Sequence, residues 1–204
     1  MRLVAEVEYW KSVFNGLIAP KVPVLPYVPQ HRQLPSRVLP VATAWKGIES
    51  VLGDLIGRFG VGTHRCLEFG VEYGYSTAAL SCFFDSVTGV DIFVGDKHTT
   101  NKSDIFAETS VRLSSFDNIR LVRSDYRDWT AKDDSFYDLI HVDIVHTYVD
   151  TFACGLWSVH HAHCVLFHDT QSFPAVKRAV IDISRQTGKQ FHNFQESNGL
   201  GILI

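Results

Sequence analysis

A chain of 204 residues, 46% hydrophobic and 20% charged, can fill a core of its own, which excludes disordered and fibrous classes. Its formal net charge is −3 and it has no block of Lys or Arg, so nucleic acid is not expected as a partner. No apolar run approaches the roughly 18 residues that cross a bilayer. Glu6, Glu8 and Lys11 interrupt the N-terminal segment, so neither a membrane span nor a secretory signal is expected, and the chain reads as cytoplasmic. Cys66, Cys82, Cys154 and Cys164 form no C-x-x-C pair and read as free thiols of a reducing compartment.

Residues 2 to 17 carry Leu3, Val7, Trp10, Phe14 and Leu17 at spacings of three or four, one apolar stripe of a helix. Six of the seven prolines follow between Pro20 and Pro40. Proline lacks an N–H and fixes φ, so residues 18 to 41 are expected to be an extended arm, neither helix nor central strand. Such an arm can lie over the domain or reach a second subunit, which is compatible with a homodimer. The chain thus divides into an N-terminal helix and arm, residues 1–42, and a domain, residues 43–204.

From Thr43 a helical pattern runs through Trp45, Ile48, Val51, Leu52, Leu55 and Ile56, with Gly57 and Gly60 as stop signals. Strands then alternate with helices. Strands are expected at 65–69, 86–92, 119–124, 137–143 and 164–168. Helices are expected at 76–84, at 103–116 with Ser103 as N-cap, at 147–160, and at 173–187 with Pro174 in the first turn. Two final strand-like runs, 190–194 and 200–204, are joined through Asn198-Gly199, a hairpin signal. This alternation predicts an α/β fold: a mainly parallel sheet with helices on both faces, closed by an antiparallel hairpin.

The segment Arg65 to Thr77 carries the most chemistry. An apolar strand ends in Glu68, passes a bend with Gly70 and Gly74, and enters a helix at Ser76 and Thr77. Glycines let a ligand approach the backbone, and a helix start offers free N–H groups. The run is not G-x-G-x-x-G, and Glu72 at its centre would repel a diphosphate, so an amino-acid moiety suits the bend better. Asp91, at the end of the second strand, is placed to accept both hydroxyls of a ribose. Ser124 and Asp125 end the third strand, where an adenine edge would lie. Glu68, Phe69, Gly70, Gly74, Ser76, Thr77, Asp91, Ser124 and Asp125 are therefore the candidate cofactor residues.

The run Glu-x-Gly-x-x-x-Gly-x-Ser-Thr at 68–77, the stretch Asp138 to Asp143 followed by His146 and Tyr148, and the ending Val165 to Thr170 resemble a class I methyltransferase. The bacterial small-molecule O-methyltransferases related to macrolide and cephalosporin tailoring enzymes are the most similar branch, and the resemblance covers about residues 60 to 204. It implies a Rossmann-like three-layer sandwich with a seven-stranded sheet of order 3-2-1-4-5-7-6. It further implies S-adenosylmethionine as cofactor, a small-molecule methyl acceptor, and in some relatives Mg²⁺ or another divalent metal. The matching metal positions are Asp143, His168 and Asp169, with Asp143 and His146 as catalytic candidates.

His146 is placed to act as a general base near neutral pH. The chain departs from the pattern at Val145, where metal-dependent relatives carry an acid, and at His161-Ala162-His163, where they carry Pro-Gly-Gly. Two other readings stay open on sequence alone: a protein that keeps a nucleoside pocket without catalysis, and a nicotinamide dehydrogenase, which Glu72 disfavours. The tract His160, His161 and His163 reads as solvated surface, Trp157 as packing, and the loop Phe93 to Lys102 as a lid.

Overall fold

A computed structural model describes residues 2–95 and 103–204 of the chain. Helix α1 (Arg2–Ile18) leads into the proline-rich arm, which contributes a three-residue strand, β1 (Val24–Pro26). A short 3₁₀ turn (Ile48–Val51) runs into α2 (Leu52–Phe59). Then come β2 (Arg65–Phe69), α3 (Tyr75–Leu80), β3 (Ser86–Asp91), α4 (Phe106–Leu113), β4 (Ile119–Arg123) and α5 (Tyr126–Thr130). The chain ends with β5 (Tyr137–Val142), α6 (Tyr148–His161), β6 (Ala162–His168), α7 (Pro174–Thr187), β7 (Phe191–Phe194) and β8 (Leu200–Leu203).

Among the described residues one sheet holds eight strands, in the order β1-β7-β8-β6-β5-β2-β3-β4. Counted from β2, its last seven strands follow the expected 3-2-1-4-5-7-6 order. The difference is the eighth strand: β1 pairs in parallel with β7, Leu25 opposite His192. The prolines confine the arm to the sheet edge, where a missing N–H breaks no ladder on the outer side. Only β8 runs antiparallel to its neighbours, pairing with β6 and β7.

The pleat sends alternate residues to opposite faces. Cys66, Leu139, Cys164 and Leu166 pack against α2 and α3 through Leu52, Leu55, Ala79 and Leu80. Leu67, Phe69, Ile140, Val165 and Phe167 pack on the other face against α5, α6 and α7. Continuous apolar runs such as Val165-Leu166-Phe167 arise because both faces are covered. Cys66, Cys154 and Cys164 are buried free thiols. Trp157 packs edge-on against Phe69, with ring centroids 5.8 Å apart. His160 is exposed and His161 stacks on Trp157 at 4.0 Å, so this tract builds no ligand cluster.

Three local expectations are corrected. Helix α4 begins at Phe106, not Ser103: Ile105 holds the N-cap position without a side-chain bond, and the Asp104 carboxylate just before it accepts the Phe106 N–H at 3.0 Å. Helix α5 has no counterpart among the expected elements: it is only five residues long, too short for helical periodicity to show, and Asp125 caps it by accepting the Arg127 N–H at 2.8 Å. The apolar stripe of α1 faces solvent, with Trp10 56% and Phe14 65% exposed. That helix docks on α6 and α7 through its polar side instead. Arg178 donates to the Ser12 hydroxyl and carbonyl at 2.6 and 2.7 Å, and Ser12 donates to Asp182. Residues 96–102 of the loop read as a lid lie outside the described residues.

Candidate active site

The sheet order reverses between β2 and β5, and connections leave in opposite directions there, which opens a crevice at the strand ends. A cavity of about 1190 Å³ occupies this crevice. Its floor is the bend after β2. Gly70 has φ +89°, and a Cβ there would be driven into the carbonyl oxygen of Asp143. Gly74 has φ +83°, and its Cβ would lie 2.7 Å from Leu113. Both positions need glycine for conformation and for space.

Asp91 holds the bend in shape. Its Oδ2 accepts the N–H groups of Val71 and Glu72 at 2.7 and 2.8 Å, and Oδ1 accepts that of Phe93 at 2.7 Å. A carboxylate has about four acceptor positions, so three are taken. Asp91 thus shapes the bend and keeps about one acceptor position open.

Gly70, Ser76, Asp91, Ser124 and Asp125 all line the cavity. Glu68, Phe69 and Thr77 do not reach it. Phe69 is a core residue on the α6 side, and Glu68 is buried on the α3 side, accepting the Thr77 hydroxyl. Gly74 turns the chain into α3 behind the cavity wall. The Ser124 hydroxyl donates to the Asp125 carbonyl at 3.0 Å, and the Asp125 carboxylate is engaged by the Arg127 guanidinium at 3.1 Å. Asp125 is thus a cap and ion-pair partner before it is a ligand group.

At the other end of the cavity, β5 and β6 deliver four titratable side chains. His146 Nε2 lies 2.9 Å from Asp169 Oδ2 and 3.4 Å from Asp143 Oδ1. Its ring stacks on Phe173 with centroids 4.1 Å apart. Burial disfavours the imidazolium, but hydrogen bonds and charge from Asp143 and Asp169 outweigh it and push His146 up to about 9. The same pairing works in reverse on Asp143. Burial opposes its ionisation, yet the His168 charge and hydrogen bonds from His146 and His168 hold it well below the usual carboxylate range.

The two carboxylates thus favour the protonated form of His146, the candidate general base, over the neutral imidazole. His168, another of the expected metal positions, stands beside the same two carboxylates, its Nδ1 3.5 Å from Asp169 Oδ2. Its Nδ1 faces Asp143 Oδ2 at 3.1 Å, and its Nε2 meets the Ser197 carbonyl at 3.2 Å. A carbonyl only accepts, so Nε2 carries hydrogen and His168 orients Asp143 from the side. Among the described residues, a cluster able to share one cation is Asp143, His146 and Asp169, whose ligand atoms lie within 4.8 Å of one another.

Several cavity residues lay outside the candidates read from sequence. Tyr126 and Arg127 enter it from α5, Trp45 and the preceding 42–44 from the segment before α2, and Val4 and Ala5 from α1. None carries a motif. Their side of the cavity is assembled from segments far apart in the chain.

The fold and crevice define an α/β protein with its site at the strand ends. A family of proteins described as "Methyltransferase domain" matches residues 67–170. The match spans more than half of the chain, and the chain belongs to this family. No curated protein matches the sequence. Among solved structures, CalS10 from Micromonospora echinaspora, a SAM-bound amino pentose methyltransferase, is similar with a TM-score of 0.59 at 12% identity, covering 79% of this chain and 92% of that one. TomG, an O-methyltransferase from Streptomyces achromogenes in complex with SAM, has a TM-score of 0.55 at 14% identity over 73% and 76% of the two chains. The O-methyltransferase from Bacillus cereus in complex with SAH gives 0.52 at 13% over 74% and 77%. At these identities the likeness is one of fold.

Proposed function

We propose that this chain transfers a methyl group from S-adenosylmethionine to a hydroxyl oxygen of a small molecule. The observation that carries this reading is the glycine bend clamped by Asp91 on the floor of the cavity, in a chain of the methyltransferase family. At about 1190 Å³ the cavity exceeds what one ligand of ordinary size fills, so an acceptor has room beside the cofactor. Among the solved structures of this fold, CalS10 and TomG are described as SAM complexes, and TomG and the Bacillus cereus protein as O-methyltransferases.

In this reading the methionine moiety lies against the bend at Gly70 and Ser76. Asp91 accepts one ribose hydroxyl, and the adenine lies by Ser124 and Asp125. The acceptor occupies the end lined by Val4, Ala5, Ile144, Val145 and Val149, which suits an apolar or aromatic body. An acceptor oxygen attacks the methyl carbon while the C–S bond breaks and sulfur keeps its electron pair. Alignment and exclusion of water supply much of the rate. The hydroxyl proton passes to the carboxylate pair Asp143 and Asp169.

Two carboxylates and an imidazole form a donor set that fits a divalent ion, and these three residues would hold it. When bound, such an ion would polarise the acceptor hydroxyl. His168 keeps Asp143 oriented in either case.

Calorimetry with S-adenosylhomocysteine, followed by transfer of labelled methyl to a panel of phenols and sugars with and without Mg²⁺, tests the proposal. Binding in the micromolar range and labelling of one acceptor class are expected. No binding by the wild-type protein would overturn it.

A further inference from the structure

Two polar side chains interrupt the apolar sheet face under α2 and α3. Glu68 and His141 are direct partners across the parallel pair β2–β5, so the pleat turns both to that face. Both are buried, as are Thr77 and Trp45 beside them. His141 Nδ1 lies 3.0 Å from Glu68 Oε1, and Trp45 Nε1 donates to His141 Nε2 at 3.2 Å. The second Glu68 oxygen accepts the Thr77 hydroxyl.

An indole N–H only donates. His141 Nε2 must then accept, which leaves the ring hydrogen on Nδ1, donating to Glu68. Four side chains from four segments form one continuous relay with every inner donor and acceptor matched. Buried networks satisfied in this way fix geometry, because each broken link strands a polar group away from water.

The two ends of the relay join two segments that line the cavity, the 42–45 stretch and the start of α3. Trp45 closes the 42–44 segment and meets the cavity-lining Tyr75 edge-on at 6.5 Å. Thr77 lies in the first turn of α3, directly after the glycine bend, and Glu68 stands two residues before Gly70. His141 and Glu68 themselves do not line the cavity.

We propose that Trp45 and His141 are positioning residues for the cofactor. Through Glu68 they set the distance between the 42–45 wall and the bend that would seat S-adenosylmethionine. The inference rests on the reading of the cavity as a cofactor site, and it adds residues that the bend motif does not contain.

The test is calorimetry with S-adenosylhomocysteine on wild type, Trp45→Phe, His141→Phe, His141→Gln and the Trp45→Phe/His141→Phe double variant. Phenylalanine keeps an aromatic ring at either position and removes the hydrogen bonds. Glutamine offers one donor and one acceptor. Trp45→Phe and His141→Phe should each weaken binding about tenfold, the scale of one lost bond to a buried partner. The double variant should bind no more weakly than His141→Phe, and His141→Gln should recover most of the loss.

Imidazole ¹⁵N spectra of the wild type should show His141 Nε2 without hydrogen, a readout that does not depend on any variant folding. Binding by Trp45→Phe within twofold of wild type, or hydrogen on Nε2, would overturn the inference. Failure of the wild type to bind would instead bring down the cofactor reading beneath it.

Discussion

The bend at 70–74 concentrates constraint on few atoms, and single substitutions there should act strongly. Gly70→Ala adds a Cβ at positive φ and drives it against the Asp143 carbonyl, so a loss of about 2 kcal/mol or more is expected, read by denaturant titration. Asp91→Asn keeps the shape of the side chain but weakens acceptance of three backbone N–H groups. Homocysteine-adduct binding, measured by calorimetry, should fall roughly ten- to hundredfold, since bonds to a charged acceptor are worth about 1.5–3 kcal/mol.

His146 sets a pH dependence of stability. Its folded-state value is raised from the ordinary 6.5 to about 9. Below pH 6.5 both folded and unfolded chains hold the proton, and the stabilisation is fully present. As pH rises the unfolded chain loses its proton first, and the contribution is gone once pH passes about 9, a change of order 1–3 kcal/mol. Thermal melts without divalent ions should show a midpoint falling across that window, and Asp169→Asn should flatten the fall. A flat wild-type profile would remove His146 from its place between the carboxylates.

At the scale of elements, α1 is held by polar contacts rather than by its apolar stripe. Asp182 accepts from Ser12, Tyr148, Arg178 and Arg185, so one carboxylate fastens α1 to both α6 and α7. Asp182→Ala should release the amides of residues 2–18 in hydrogen exchange while β2 and β5 stay protected. Because Val4 and Ala5 line the cavity, the released helix should also leave the acceptor end open. The contrast with Trp10 is instructive: Trp10→Gln, on the exposed stripe, should change stability by only about 0.5 kcal/mol. Helical periodicity shows that a stripe exists, but not which neighbour, if any, it meets.

For the whole molecule, the late hairpin is central rather than peripheral. β8 lies between β6 and β7, so its register ties the last strand pair and the arm strand β1 to the sheet. Gly199 has φ +93°, and a Cβ would lie 2.5 Å from the Gln171 backbone nitrogen. Gly199→Ala is expected to lower the unfolding midpoint in urea by a shift of the whole transition with an unchanged slope, as for a cooperative unit. A separate early transition would mean that the hairpin edge unfolds on its own.

Much of this architecture was written locally. Apolar runs of five to seven residues, the Asn198-Gly199 turn and the glycines of the bend each act over a few neighbours, so strands β2 to β8 and the crevice at their ends follow from sequence. The prolines equally barred the arm from the sheet interior, although pairing of Val24–Pro26 with β7 depended on an open edge that only the assembled sheet provides. The site was legible in part for the same reason. Gly70 and Asp91 act through backbone geometry next to them in the chain. The partners of Glu68, the meeting of His146 and His168 with both Asp143 and Asp169, and the entry of Trp45 and Val4 into the cavity were decided by strand register and helix docking. Several of those contacts join residues far apart in the chain, such as Glu68 with His141 and His146 with Asp169, and no local preference encodes which carboxylate each histidine will face.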